Sequence, residues 1–432
     1  MYDFFVGLTL FGGFILSFGL VSLFVKEQLY ISETLVATLF GIICGPKGFD
    51  LIQIPEVHKF MFQFSRIVIS LQVVAVGVAI PKSYIRREWK SLFMLLGPLM
   101  LLTWAISSLI IYYIIGLDLY SSMIIGACVT PTDPVLASTV LKGKFANRYI
   151  PTHLRNLIAI ESAANDGLGF PLLTYSIIFL ICGERKLDAW KKWILETWLR
   201  EIIFAVFIGA VIGYIARILL KISMENGLID KESFLVYIIA LAILVTGLTS
   251  LLHSDDILAA FVCGIFFSWD KSFLADTKNS QILEVLDLLF NLSFFIIFGS
   301  MIPWNEFDVR YIAIAGLIIL LRRPPCIMAF RNCIPQLFDR RESFFAGWFG
   351  PIGVGAIFFA YHAENELKNY NFSINKILIP LVHFIVLSSV VVHGVTAPII
   401  HFHLNFRKKR RIQVKRLDIT ESEYTEADNI EL

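Results

Sequence analysis

Long apolar runs separated by short polar connections recur along the whole chain. Window hydropathy predicts thirteen spans. They lie near residues 4–25, 32–54, 60–80, 91–115, 119–141, 153–182, 201–222, 232–251, 255–268, 283–302, 310–330, 342–362 and 375–402. The second, fifth and ninth are the least clean. Runs of about twenty apolar residues suit helices that cross a bilayer, so the fold class is an all-α polytopic membrane protein. Two spans carry helix breakers at their centres. Thr130-Pro131-Thr132-Asp133-Pro134 interrupts the fifth, and Gly350-Pro351-Ile352-Gly353-Val354-Gly355 interrupts the twelfth. A pair of interrupted spans in corresponding positions predicts inverted repeats whose broken helices cross at a binding site.

The polar residues inside these runs carry the candidate chemistry. Asp133 stands between two prolines, and Glu161-Ser162-Ala163-Ala164-Asn165-Asp166-Gly167 lies in the sixth span. An ionisable side chain at membrane depth is costly, which marks a functional site. Ser162 and Asp166 are four residues apart, share a helical face, and together offer oxygens to a hard cation. Glu161 sits on another face and needs a separate partner. Arg322-Arg323-Pro324-Pro325 ends the apolar run of the eleventh span. An arginine there either pairs with an acid such as Glu161 or snorkels to the interface.

Composition supports the membrane class and adds an orientation. Of 432 residues, 57% are hydrophobic and 17% charged, with a mean hydropathy of +0.72. The net charge of +2 gives no basic surface for nucleic acid. The six cysteines are scattered without metal or disulfide spacing. Lys82, Arg86, Arg87 and Lys90, then Lys142, Lys144, Arg148 and Arg155, then Arg331, Arg340 and Arg341 fall on the side of the basic C-terminal tail. That side is therefore expected in the cytosol, with the N-terminus outside. Arg185, Lys186, Lys191 and Lys192 fall on the opposite side. The tryptophans among them suggest an amphipathic helix lying in the interface near 183–200. The basic block at 407–411 suits an anionic inner leaflet, and the acidic end of the tail reads as disordered.

Three weaker features complete the reading. His253-Ser254-Asp255-Asp256 opens the ninth span, either as an N-cap on Ser254 or as an acidic mouth that gathers cations. His362 closes the twelfth span and could titrate near neutral pH. Asn371-Phe372-Ser373 is a glycosylation sequon on an expected outside loop. No nucleotide loop, dinucleotide fingerprint or zinc spacing occurs, so no enzyme and no cofactor are expected.

The three motifs together, Thr-Pro-Thr-Asp-Pro, Glu-Ser-x-x-Asn-Asp-Gly and Gly-Pro-Ile-Gly-Val-Gly, resemble the fungal plasma-membrane sodium/proton antiporters. These belong to the superfamily that includes the NhaP and NHE exchangers. The resemblance implies a NhaA/NhaP-like membrane domain over residues 1–402, followed by a short cytosolic tail at 403–432. It places a mobile core near 91–182 and 283–362 and dimerisation spans near 4–54 and 201–251. It implies electroneutral exchange of cytosolic Na+ or Li+ for external H+ by an elevator motion, in a homodimer in the plasma membrane. K+/H+ exchange is the alternative on the same fold; a cation channel or an organic-anion symporter fits less well. Asp166 would bind the cation or the proton, and Asp133, Ser162 and the backbone carbonyl of Thr132 would complete the ion's shell. Asn165 and Thr130 would support the break, and Glu161 would pair with Arg323. Asp255, Asp256 and His362 match positions implicated in ion entrance or pH response in the fungal branch. One departure stands out: Gln72-Val73-Val74-Ala75-Val76-Gly77 lacks the acid that some NhaP relatives carry in the third span.

Overall fold

The computed structural model describes residues 2–29, 31–54, 56–80, 82–134, 136–137, 150–269, 282–396 and 398–399. Helices follow the expected spans one by one, and no strand occurs among the described residues. They are α1 (Tyr2–Phe24), α2 (Glu33–Cys44), α3 (Val57–Ala79), α4 (Trp89–Ile115), α5 (Leu119–Cys128) and α6 (Thr152–Cys182). Next come α7 (Lys186–Glu225), α8 (Lys231–Leu251), α9 (Asp256–Phe267) and α10 (Ile282–Ser300). The eleventh span is split into α11a (Arg310–Leu321) and α11b (Pro324–Phe330). The twelfth is split into α12a (Arg340–Trp348) and α12b (Val354–Leu367), and α13 covers Leu378–Thr396. Among the described residues, seven helical runs are long and apolar enough to cross a membrane, the broken eleventh span counted whole as Arg310–Cys333. Lys142, Lys144 and Arg148, on which part of the orientation rested, and the tail at 403–432 lie outside the described residues.

The helix ends follow local chemistry. α2 stops at Cys44 because Gly45-Pro46 starts a turn, so the second span is shorter than hydropathy implied. Asp118 and Asp230 cap α5 and α8, accepting the backbone N–H of Ser121 and Ser233 at 3.0 and 2.7 Å. The eleventh span breaks at Arg322-Arg323, an interruption the sequence reading did not anticipate. Its cause is Pro324-Pro325, whose rings clash with a preceding helical turn.

The expected interfacial helix at 183–200 is not a separate element. It runs without a break into the seventh span, giving 40 continuous residues, or about 60 Å at the α-helical rise. No proline interrupts it, and wide π-type turns over Trp193–Ile203 absorb the packing. Trp193 donates its indole N–H to the Pro171 carbonyl at 3.0 Å, and Thr197 donates to the Thr174 hydroxyl at 3.1 Å. These contacts hold the segment against the second half of α6.

Two layers result. In one, α7 packs on α9, α9 on α3, and α10 along α2 and α3. In the other, α4, α5, α6, α11 and α12 pack on one another. The helix α10, grouped with the core in the expected partition, thus packs with the first layer. α3 and α9 face α6 and α12b and form the seam between the layers. The first layer is closed by small residues, as suits helices that associate in lipid. A Cβ on Gly299 would stand 2.2 Å from the Thr38 carbonyl oxygen, and one on Gly213 would stand 2.4 Å from that of Cys263.

This packing predicts a graded response to a single methyl group. Gly299→Ala must push α10 away from α2 and should cost about 1–3 kcal/mol. Gly247→Ala, where nothing lies within 4 Å of an added Cβ, should be neutral. Thermal unfolding of the purified variants checks this, and equal shifts for the two would contradict the packing.

Candidate functional site

The breaks in α5 and α12 meet in the interior. The Asp133 backbone N–H donates to the Pro351 carbonyl at 2.8 Å. Each break leaves one helix C-terminus and one helix N-terminus with unsatisfied backbone groups. Two side chains serve all four ends. The Asp133 carboxylate accepts the Leu136 N–H at 2.9 Å on its own strand of the crossing, and the Val354 N–H, at the start of α12b, at 2.8 Å. The Arg322 guanidinium donates to the Val129 carbonyl, to the Thr130 carbonyl at 3.0 Å, and across the crossing to the Gly350 carbonyl at 2.8 Å. One anion thus faces two N-terminal ends, and one cation faces two C-terminal ends, as the helix dipoles require. Behind α12, the Ile352 N–H donates to the Ser389 hydroxyl of α13 at 2.8 Å.

A second network ties α6 to the crossing. Asn165 accepts the Thr132 N–H at 3.1 Å and donates to the Thr132 hydroxyl at 2.9 Å and to Glu161 Oε1 at 3.1 Å. The Thr132 and Ser162 hydroxyls share a hydrogen bond of 2.9 Å. Glu161 receives both terminal nitrogens of Arg323 at 2.7 Å, a bidentate pair. Arg323 Nε also donates to the Ala346 carbonyl at 3.1 Å. Both arginines are buried, so snorkelling to the interface is excluded for each. Thr130 donates its hydroxyl back to Gly126 at 2.8 Å, and its carbonyl serves Arg322.

Asp166 differs from the other two acids. It is buried, and its Oδ1 has no hydrogen-bond partner among the described residues. It lies over Gly355, where an added Cβ would stand 2.4 Å from Oδ1. The glycines of the twelfth span share this logic. A Cβ on Gly353 would meet Asp133 Oδ2 at 2.1 Å, and one on Gly350 would meet Arg323 Cδ at 2.3 Å. Each glycine leaves room for one charged side chain.

A sequence model for the sodium/hydrogen exchanger, transmembrane family matches residues 13–403. The chain belongs to that family. It is similar to the Na+/H+ antiporter 2 of Zygosaccharomyces rouxii, 38% identical over 412 residues, covering 89% of this chain and 51% of the relative. It is also similar to the Na+/H+ antiporter of Saccharomyces cerevisiae, 38% identical over 420 residues, covering 90% of this chain and 42% of the relative. The chain therefore spans about half the length of these curated relatives. Among solved structures, the sodium proton antiporter MjNhaP1 of Methanocaldococcus jannaschii superposes with a TM-score of 0.69 at 18% identity. That likeness covers 92% of this chain and 96% of the other, and it establishes the fold.

The remaining candidate residues, Asp255, Asp256 and His362, have partners outside the crossing. Asp255, not Ser254, caps α9, accepting the Leu258 N–H at 3.0 Å. The Ser254 hydroxyl instead donates to the Arg200 and Glu201 carbonyls at 2.9 Å. Asp255 and Asp256 are only 5% and 6% exposed, so neither lies open as a surface mouth. Asp256 pairs with Arg66 at 3.3 Å and accepts the Ser250 hydroxyl at 2.9 Å. His362 does not end its helix, which runs on to Leu367. It sits among Phe62, Phe170 and Phe358, with ring centroids 5.0–6.2 Å away. Arg66 and Arg322 are the residues whose roles sequence reasoning missed. A lone arginine within the apolar third span was the available signal for Arg66. For Arg322 the signal was its place one residue before the paired arginine. In the third span, Gln72 is buried with no hydrogen-bond partner for either amide atom among the described residues.

The Glu161–Arg323 pair makes a stability prediction. Arg323→Ala leaves a buried carboxylate without its cation and should cost about 3–5 kcal/mol. Replacing both partners by glutamine should recover part of that loss. Thermal unfolding of the purified variants measures it. A fully stable Arg323→Ala protein would contradict the pair's structural weight.

Proposed function

We propose that this chain exchanges cytosolic Na+, and Li+, for external H+, one for one and without net charge. The observation that carries the reading is the division of labour among the three acids at the crossing. Asp133 is engaged by two backbone N–H groups and Glu161 by a bidentate arginine, while Asp166 keeps an oxygen without a hydrogen-bond partner among the described residues. A bare carboxylate in an apolar barrier is unfavourable by several kcal/mol, of the order found for uncompensated buried ions. A proton or a monovalent cation removes that penalty equally well. The two loads compete for Asp166, and only a loaded core crosses the seam. The Ser162 and Thr132 hydroxyls stand beside the break as oxygen donors for a hard cation.

The count of charge follows from the residues around Asp166. Asn165 is neutral and occupied with Thr132, and Glu161 stays paired in either state, so the loaded core carries the same charge with H+ as with Na+. Alternating access about a midplane site is the expected motion for two crossed broken helices, with the seam along α3 and α9 as the sliding surface. Sodium is preferred over potassium because the relatives 38% identical are named for sodium. The plasma membrane, an outside N-terminus and a homodimer belong to the same reading.

The test is flux of 22Na+ in proteoliposomes against an imposed pH gradient. Wild type should accumulate or release sodium according to the gradient, and clamping the membrane potential should leave the initial rate unchanged. Asp166→Asn should abolish exchange, because an amide neither releases a proton nor neutralises sodium. Flux that rises steeply with potential would mean a second proton per cycle. Exchange surviving in Asp166→Asn would move the binding site elsewhere.

A further inference from the structure

The seam between the layers carries a titratable contact at one end. His58, in the first turn of α3, places Nδ1 2.6 Å from Oε2 of Glu364 near the end of α12b. The pair joins helices of opposite layers. Its side chains are 62% and 26% exposed, so both reach water. The His58 ring stands edge-on to Tyr361 at 5.5 Å, and the Tyr361 hydroxyl lies 3.5 Å from His383 Nε2 on α13. Further along the seam, Phe62 stacks on Phe358 at 5.4 Å, with Arg66 over both rings at 4.6 and 5.7 Å. The contact therefore sits at the rim of an apolar seal.

The charges around His58 favour its cationic form. On its own element, Glu56 and Lys59 pair with each other at 2.8 Å. Glu364 faces it from α12b, and Glu306 acts on it from the turn before α11a. From α13, His383 is separated from it by Tyr361. Arg66, two turns along α3, is engaged by Asp256. The neighbouring elements thus offer His58 two acids.

We propose that His58 and Glu364 form a second proton-binding site, distinct from Asp166, whose occupancy latches α12b against α3 and slows the exchange cycle. This rests on the exchange reading above. An imidazolium gives Glu364 a charge-assisted hydrogen bond, whereas neutral imidazole gives an ordinary one. The latch is therefore tight below the histidine's pKa and loose above it. In the proposed orientation the pair faces outside, so external acid tightens it.

The experiment compares wild type, His58→Gln, Glu364→Gln and the double variant. 22Na+ release from loaded cells is followed while external pH runs from about 5.5 to about 8, across the ordinary histidine range. Competition at Asp166 is common to all four proteins, so the ratio of variant to wild-type rate isolates the latch. That ratio should rise about two- to threefold toward acid pH, the scale of an exposed ion pair. The two single variants should match, and the double should add nothing. A ratio that is flat with pH, or additive effects, overturns the proposal. Absence of flux in wild type overturns the exchange reading instead, and thermal unfolding then decides the latch. Wild type should gain stability over His58→Gln at acid pH and not at alkaline pH; equal curves overturn it.

Discussion

Two helices broken inside a membrane create four backbone ends that water cannot satisfy, and this constraint organises the core. Each N-terminal end carries partial positive charge and each C-terminal end partial negative charge. The chain answers with one carboxylate and one guanidinium, each spanning both breaks. Asp133 serves the N-terminal ends, and Arg322 serves the C-terminal ends. Placing each charge between the two helices, rather than within one, locks the crossing as a unit. The Asn165 amide and the Glu161–Arg323 pair then fasten α6 to it. The glycines at 350, 353 and 355 let these side chains approach the backbone.

This arrangement assigns roles by elimination among chemically similar groups. Of the three acids at the crossing, two are consumed by structure, and Asp166 retains an oxygen over Gly355 with no hydrogen-bond partner among the described residues. The same reasoning separates two adjacent arginines. Arg323 meets an acid, while Arg322 donates to three carbonyls. The seam has its own charge pair, Arg66 with Asp256, which removes Asp256 from any free acidic surface.

Much of this was legible in the sequence because membrane depth makes polar residues conspicuous. Hydropathy located the helices, and Pro131, Pro134 and the glycines at 350–355 located two breaks. The third break escaped because Arg322-Arg323 invited a reading in terms of charge, although Pro324-Pro325 announced the interruption. The long α7 escaped because tryptophans among lysines suit an interfacial helix equally well. Only packing against Pro171 and Thr174 distinguishes the two. Ser254 and Asp255 are both good caps, and adjacency to the Arg200 and Glu201 carbonyls, a tertiary fact, decided between them. Helix pairing is likewise invisible to hydropathy: that α10 packs along α2 and α3 is a tertiary fact.

The central claim is that one carboxylate, Asp166, holds either a proton or a cation. It is tested most directly by counting protons released when purified protein binds Na+ at equilibrium. Calorimetry in buffers of different ionisation enthalpy gives that count without transport or membrane potential. The account predicts close to one proton per sodium at a pH where the empty site is protonated. It also predicts complete loss of sodium-linked release in Asp166→Asn, and retention in a seam variant such as His58→Gln. Sodium binding without proton release in wild type, or undiminished release in Asp166→Asn, would contradict it.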